Sequence, residues 1–427
     1  MNERAARAIA DCRRIALMTE EPGRTTRRFL TEPTHAVHAL LRERMEAIGM
    51  KVAVDAVGNL RGLWRPKGAG PNRLILGSHI DTVPDAGAFD GVLGVMLAIE
   101  WVDIARELRL PLTIEVIAFS EEEGVRYGVP FLGSRAVTGT FDERMLAYED
   151  ADGVRMDEAI RAFGLDPAKI ADAALDEQVL GFVEIHIEQG PVLEAEGVPL
   201  AVVEGIAGQT RLGLRFTGQA NHAGTTPMNL RRDALAAAAE WITTVETLIR
   251  EAAAERDPVL KSPSSAVMRP GEPGLVATVG KIEIEPNAGN VIPGVVSVSL
   301  DLRCMSNRSR SHWTTELIGD ARAIARKRNI EFEWVKKLDQ RRVDMDQHLS
   351  LRLKVAVEAA GFPLETMPSG AGHDAMVMAA RVPAAMLFLR SPGGISHHPS
   401  ESVLEADVEA SLNVGREFLL RLAKEIS

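Results

Sequence analysis

The chain has 427 residues, 46% of them hydrophobic and 26% charged, with 36 glycines and 22 prolines; this is the composition of a globular protein of two or three domains and excludes disorder and fibres. A formal net charge of -11 and 4% aromatic residues argue against a nucleic-acid or anionic-membrane surface and against a base-stacking platform. Only Cys12 and Cys304 are present, which is no disulfide framework and suits a reducing cytoplasm. The N-terminal stretch carries charges through what would have to be the apolar core of a signal peptide, and no run of about 18 apolar residues occurs, so a cytoplasmic protein without a membrane span is expected.

Residues 35–50 (HAVHALLRERMEAIGM) have helical spacing, and KVAVDAVGNLRGLW reads as strands around the Gly58-Asn59 turn. LILGSHI and LTIEVIAFS are apolar runs typical of buried parallel strands, with an apolar-faced helix from Gly91 between them. GFVEIHIEQG, at 181–190, is a third such strand. From about residue 208 the pattern changes to alternating strands (TRLGLRFTG, VATVGKIEIE, VVSVSLDLR, IEFEWVKKL) and two helices (231–255 and 312–329) in the order β-α-β-β-α-β, that of a ferredoxin-like sandwich. LSLRLKVAVEAAG, AAMLFL and VEASLNVGREFLLRLAKEI then return to the α/β style. The expected fold is therefore a doubly wound α/β domain, residues 1–208 and 340–427, with an inserted α+β domain at 209–339.

The polar residues cluster where the apolar strands end, and in open α/β sheets ligands bind at that edge. His79 and Asp81 follow LILGS; two apart on a strand end they point the same way, so Asp81 is placed to orient His79, and Asp90 can turn back toward it. The same pattern also fits a loop histidine beside a helix-capping aspartate. Ser120-Glu121-Glu122-Glu123-Gly124 follows LTIEVIAF; three adjacent carboxylates suit a solvated loop, or a metal ligand beside a general base. Alternation in FVEIHIEQ puts Glu184, His186 and Glu188 on one face, and His397 lies in GISHHPSE. Three histidines and two carboxylates form the mixed nitrogen and oxygen set expected for a pair of divalent ions, with no thiolate. Gly372-His373-Asp374 could line the pocket or cap a helix. His35, His38, His312 and His348 have no partners in the sequence pattern and are assigned no function.

The motifs GSHIDTVPDAGAFDGVLGV, FSEEEGVRYG, EIHIEQGPVLE, ANHAGTTPM, NVIPG with DLR, SGAGHDAM and GISHHPSE together resemble the binuclear amidohydrolases that include allantoate amidohydrolase and N-carbamoyl-L-amino-acid hydrolase, relatives of the aminoacylases and carboxypeptidases. The resemblance spans about residues 10 to 425. It implies that Asp90 bridges two divalent metals, zinc or manganese, with cobalt or nickel also acceptable, and that His79 and His186 hold one while Glu122 and His397 hold the other. It further implies Glu121 as general base, Asp81 as a catalytic support, His222 as an oxyanion donor, and Gln189, His222, Asn290 and Arg303 as substrate-binding groups. His398 is passed over because the family pattern is Ser-His, any residue, Pro. Ala86 departs from a Gly-Gly-x-Phe-Asp-Gly pattern and leaves every implied ligand in place. A histidine at 186, where peptidase relatives tend to carry an acid, favours a linear ureido substrate bearing a carboxylate. Allantoate is the first expectation, with N-carbamoyl-L-amino acids or N-carbamoyl-β-alanine as alternatives. An aminoacylase or dipeptidase, and a non-catalytic binding protein, are the competing classes. The inserted domain is expected to act as a lid hinged near 208 and 339, and to build a homodimer that can lend site residues to the partner.

Overall fold

The computed structural model describes residues 1–176, 178–254 and 274–426. The chain divides into two compact units: Met1–Glu204 with Asp344–Met367 and the chain from Gly372 onward, and Gly205–Val343 with Pro368–Ala371. The crossings lie a few residues from 208 and 339. The short return of 368–371 to the second unit has no signature in the composition of that loop.

The first unit is built on a mixed sheet. Its centre is parallel, in the order Thr113–Phe119, Arg73–His79, Val179–Ile187, Ala384–Leu389. Two of these strands, LILGS and AAMLFL at their cores, have no polar alternation because both faces are covered. Leu60–Trp64 and then Lys51–Val54 extend one side in antiparallel fashion, joined through the expected turn. Leu200–Ile206 extends the other side antiparallel to Ala384–Leu389; LAVVEGI was not expected as a strand, since it follows a turn at Gly197 and its apolar run is short. The helix Val92–Glu107 is buried almost all round and packs on the three parallel strands nearest it. Its buried Glu100 and Asp103 are matched by Arg4 and Arg7 of an N-terminal helix, Asn2–Ala16, with Arg4 and Arg7 reaching Glu100 at 2.8 and 2.6 Å. That helix was also not expected, although Ala5, Ala8, Ile9, Cys12 and Ile15 make an apolar stripe at helical spacing and are buried. No described helix is long and apolar enough to cross a membrane.

The second unit has the expected helices and long strands in chain order, with more strands than expected. Its antiparallel sheet runs Ile282–Glu285, Val295–Cys304, Gly208–Thr217, Glu331–Gln340, and Val276–Thr278 also pairs with Val295–Cys304. The single strand expected over 276–285 is thus two. The helices Ala234–Ala254 and Asn307–Lys327 share a core with one face of the sheet, including Leu212, Phe216, Val296, Leu300, Trp241 and Leu317. Glu255, the last residue of the expected 231–255 helix, lies outside the described residues. Alternation leaves Arg211, Ser299, Asp301 and Arg303 on the other face, as a strand with one solvated side requires.

Candidate metal centre

The parallel strands of the first unit deliver their polar ends to one edge. His79 is the last residue of its strand, Glu121 to Glu123 follow the strand ending at Phe119, and His186 lies at the end of the strand ending at Ile187. The loop after Leu389 carries Ser396 and His397. Asp90 sits just before the helix that starts at Val92.

A carbonyl oxygen can only accept a hydrogen bond. His186 Nδ1, 2.9 Å from the Ile187 oxygen, therefore carries its proton, and His79 Nδ1, 3.1 Å from the Asp81 carbonyl, does the same. With neutral rings, both Nε2 atoms are lone-pair acceptors, and they face each other at 3.5 Å. They stand 3.7 and 3.2 Å from Asp90 Oδ1, which among the described residues has no hydrogen-bond partner. Three buried acceptors converging on one point call for a cation between them. The other Asp90 oxygen faces His397 Nε2 at 3.1 Å, and His397 Nε2 is 3.5 Å from Glu123 Oε1. His79, Asp90 and His186 thus form one ligand group, and Asp90, Glu123 and His397 another, sharing Asp90. The donor set fits a dinuclear metal site, with Asp90 common to both halves.

The surrounding carboxylates favour positive charge at this point, whether as protons on the imidazoles or as a cation between them. Burial alone would raise the Asp90 carboxyl, but His186, His397 and His79 hold it well below the usual carboxylate range. Burial opposes charge on His79, yet Asp81, Asp90 and Glu122 keep its imidazole well above its ordinary value. Burial, reinforced by Asp90, pushes Glu123 up to about 7. Glu122 is raised well above the usual range by burial; His79 opposes the shift, while Glu123 and Asp374 add to it.

The three consecutive glutamates differ from expectation by one position. Glu123, not Glu122, joins Asp90 and His397; Glu122 stands with His79 and Glu123. Glu121, expected as the base, folds back so that its carboxylate accepts the Gly124 N–H, and its strongest charged neighbour is Asp81. The cause is the Asp81 carboxylate, which accepts the backbone N–H groups of Glu122 at 2.9 Å and Glu123 at 3.1 Å and so turns the chain after Ser120. Spacing within a run of identical residues carries no signal for this. Asp81 itself lies beside His79, with Oδ1 3.4 Å from Nδ1.

The other candidates are placed as follows. Gln189 donates to Asp90 Oδ2 at 3.0 Å and lies 3.3 Å from His397 Nε2. His398 is turned away, its Nδ1 accepting the Ser400 N–H. The expected stripe of Glu184, His186 and Glu188 splits. Glu184 is buried and accepts from Ser78 Oγ and Ala375 N, whereas Glu188 caps the helix Val192–Glu196 through the Val192 and Leu193 N–H groups. His373 packs its ring 4.5 Å from that of His186.

In the second unit, His222 and Asn290 are neighbours on the exposed surface: His222 pairs with Val291, and Ala223 N–H donates to the Asn290 carbonyl. Arg303 lies at the far end of Val295–Cys304, held by Asp301 at 3.0 Å and by the Gly370 carbonyl at 2.6 Å. The strand between them is roughly 27 Å long at about 3.4 Å per residue. A cavity of about 620 Å³ beside Arg303 is lined by Arg211, Asp301 and Lys337 among others.

Residues 75–425 match the family model described as peptidase family M20/M25/M40. The chain is 38% identical to allantoate deiminase from Arabidopsis thaliana over 96% of this chain and 81% of that protein. It is 35% identical to an N-carbamoyl-L-amino acid amidohydrolase from Geobacillus stearothermophilus over 94% of both. Among solved structures, an amidase of the hydantoinase/carbamoylase family from Burkholderia multivorans superposes with a TM-score of 0.86 at 29% identity, covering 98% of each chain.

Proposed function

Because this chain belongs to the M20/M25/M40 peptidase family, we propose that it is a metal-dependent amidohydrolase cleaving a linear ureido C–N bond in a carboxylate-bearing substrate, with allantoate as that substrate. The observation that carries the reading is the pair of ligand groups sharing Asp90, in a chain that matches an allantoate deiminase along nearly its whole length. N-carbamoyl-L-amino acid hydrolysis is the second reading, favoured by the comparable likeness to the Geobacillus enzyme.

His79, His186 and Asp90 would hold one divalent ion, and Asp90, Glu123 and His397 the other. Their imidazole and carboxylate donors, without thiolate, suit manganese or zinc, and accept cobalt or nickel. Bound there, such ions supply Lewis acidity that brings water toward ionisation near neutral pH and polarises a carbonyl. Glu122 then takes the water's proton and returns it to the departing nitrogen; a carboxyl raised by burial is matched to that exchange. This moves the base role from Glu121 to Glu122, and the ligand role from Glu122 to Glu123. Asp81 holds His79 and the turn that presents both glutamates. Water adds to the ureide carbonyl and the C–N bond breaks, leaving the free amine and carbamic acid, which decomposes to ammonia and carbon dioxide.

Arg303 is suited to clamp the substrate's carboxylate with parallel hydrogen bonds, and Gln189 to orient it beside Asp90. His222, the proposed oxyanion donor, and Asn290 stand too far along their unit's sheet from Arg303 to meet one small molecule with it. We therefore assign the two ends to different substrate sites of a homodimer formed through 209–339, which also serves as the lid. Neither Cys12 nor Cys304 forms a disulfide among the described residues, and both are buried, which suits the cytoplasm.

The test is release of ammonia and, measured in parallel, of free primary amine by enzyme reconstituted separately with manganese and zinc, offered allantoate, N-carbamoyl-L-amino acids, N-carbamoyl-β-alanine and an N-acetyl amino acid. Release from allantoate is expected. Turnover of the carbamoyl amino acids alone would move the assignment to the second reading, and amine from the N-acetyl compound alone would remove the ureido reading.

A further inference from the structure

Glu401 takes no part in either ligand group, yet it is buried, 6% exposed, next to both. Its Oε1 accepts two backbone N–H groups, Phe89 at 2.8 Å and Asp90 at 3.0 Å. Its Oε2 accepts the hydroxyl of Ser396 at 3.2 Å, and the same hydroxyl is 3.3 Å from Asp90 Oδ2. One carboxylate therefore ties the loop that carries Asp90 to the loop that carries His397, about three hundred residues apart in the chain.

Both loops need such a tie. The N–H groups of Phe89 and Asp90 precede the helix that begins at Val92, and buried donors left without an acceptor cost on the order of 1–3 kcal/mol each. His397 sits at φ 56, a left-handed conformation that a residue with a Cβ holds only when its surroundings impose it. The Glu401 N–H closes this loop on the His398 carbonyl at 3.0 Å. A second observation points the same way. A Cβ at position 87 would lie 2.3 Å from Glu401 Cβ and 2.5 Å from its Oε1. Glycine is thus required at 87 by the close approach of Glu401. Position 86 makes no such demand: Ala86 donates its N–H to the Thr25 carbonyl in an isolated bridge. This accounts for a motif that can lose its first glycine while keeping its second.

We propose that Glu401 is a positioning residue of the metal centre: seated on the backbone N–H groups of Phe89 and Asp90 and on Ser396, and given room by Gly87, it sets the Asp90 carboxylate and His397 imidazole at ligating distance. It rests on the reading of Asp90 and His397 as metal ligands. Outer hydrogen bonds of this kind commonly change metal affinity by roughly 10–100-fold when removed. The effect lies in the acceptor atoms, since glutamine at 401 can still accept both backbone N–H groups through its amide oxygen.

The experiment is titration of the metal-free protein with manganese, read from the electron paramagnetic resonance of the free ion, for wild type, Glu401→Ala, Glu401→Gln, Gly87→Ala and the Gly87→Ala/Glu401→Ala double variant. Thermal unfolding of each metal-free protein is followed by circular dichroism. Glu401→Ala and Gly87→Ala are each expected to weaken manganese binding by roughly 10–100-fold. Glu401→Gln should stay within about threefold of wild type, and the double variant should be no weaker than Glu401→Ala. A merely structural role would lower the unfolding temperature while leaving the affinity of the folded protein unchanged, and that result overturns the proposal. So does a Glu401→Gln as weak as Glu401→Ala, which would trace the effect to charge, or additive losses in the double variant. Wild type that binds neither manganese nor, in a parallel calorimetric titration, zinc, cobalt or nickel would remove the metal reading and this role together, whereas wild-type binding with unaltered affinity in Glu401→Ala removes the positioning role alone.

Discussion

Glu121, Glu122 and Glu123 are the same side chain three times over, and each meets different partners because its carboxylate comes to rest in a different place. Glu121 is tied to the Gly124 N–H beside Asp81, Glu122 faces His79, and Glu123 reaches His397 and Asp90. Substituting glutamine at each position keeps the shape and removes the charge, so the three roles separate by experiment. Glu122→Gln is expected to bind manganese like wild type and to lose at least 100-fold in turnover, within the range of general acid–base catalysis. Glu123→Gln is expected to lose affinity for one ion first. Glu121→Gln should retain turnover within about tenfold, since its amide oxygen can still accept the Gly124 N–H. Paired metal titrations and steady-state rates would check this; a Glu121→Gln protein that binds metal but does not turn over would return the base role to Glu121.

At the scale of elements, the helix Pro33–Ala47 shows what burial does to a histidine outside the site. His38, on its inner face, is 6% exposed and sits edge-on to Phe163 at 5.7 Å, while His35 stacks on the same ring at 3.9 Å. Burial, with repulsion from His35, pushes the His38 imidazole down to about 4. In the unfolded chain it titrates near 6.5, so between about pH 4 and 6.5 the unfolded state binds the extra proton. Stability from this group is therefore complete above the unfolded value and is lost as the pH falls toward 4. Metal-free wild type should show a drop in unfolding temperature between pH 7 and pH 5, and His38→Leu a smaller one. Equal drops in the two proteins would mean that other groups set the acid limb. The parallel strands show the complementary principle. They are mostly apolar where they are covered, with buried Glu115 and Glu184 each met by partners, and they turn polar where they run out of the sheet, so a short switch in residue type marks the functional edge.

Across the molecule, the candidate metal centre gathers carboxylates and imidazoles from separate stretches of one unit, buried at His79, Asp90, Glu122 and His186 and open to solvent at His397. Without cations, Asp90, Glu122 and Glu123 repel one another there, and binding that favours the folded state raises its stability by mass action. Chelation should lower the unfolding temperature, and manganese or zinc should restore it in proportion to the logarithm of the free ion concentration; a melting curve indifferent to both would speak against a structural stake of the ions in this unit. The sequence by itself determined the α/β class of the first unit, the run of helices and long strands in the second apart from the division of 276–285, and the strand ends and loops that carry His79, Asp90, His186 and His397. These are legible because hydrophobic periodicity and the polar switch at a strand's end are local properties of the chain. It did not reveal the helix Asn2–Ala16 as the partner of Glu100 and Asp103, the antiparallel strand Leu200–Ile206, which glutamate meets His397, or the part taken by Glu401. Only the tertiary structure decided those. Asp81 turns the acidic loop from about forty residues away, and Glu401 grips Asp90 from about three hundred. A side chain's direction at such a loop is set by hydrogen bonds from distant segments, which no local pattern of residue types encodes.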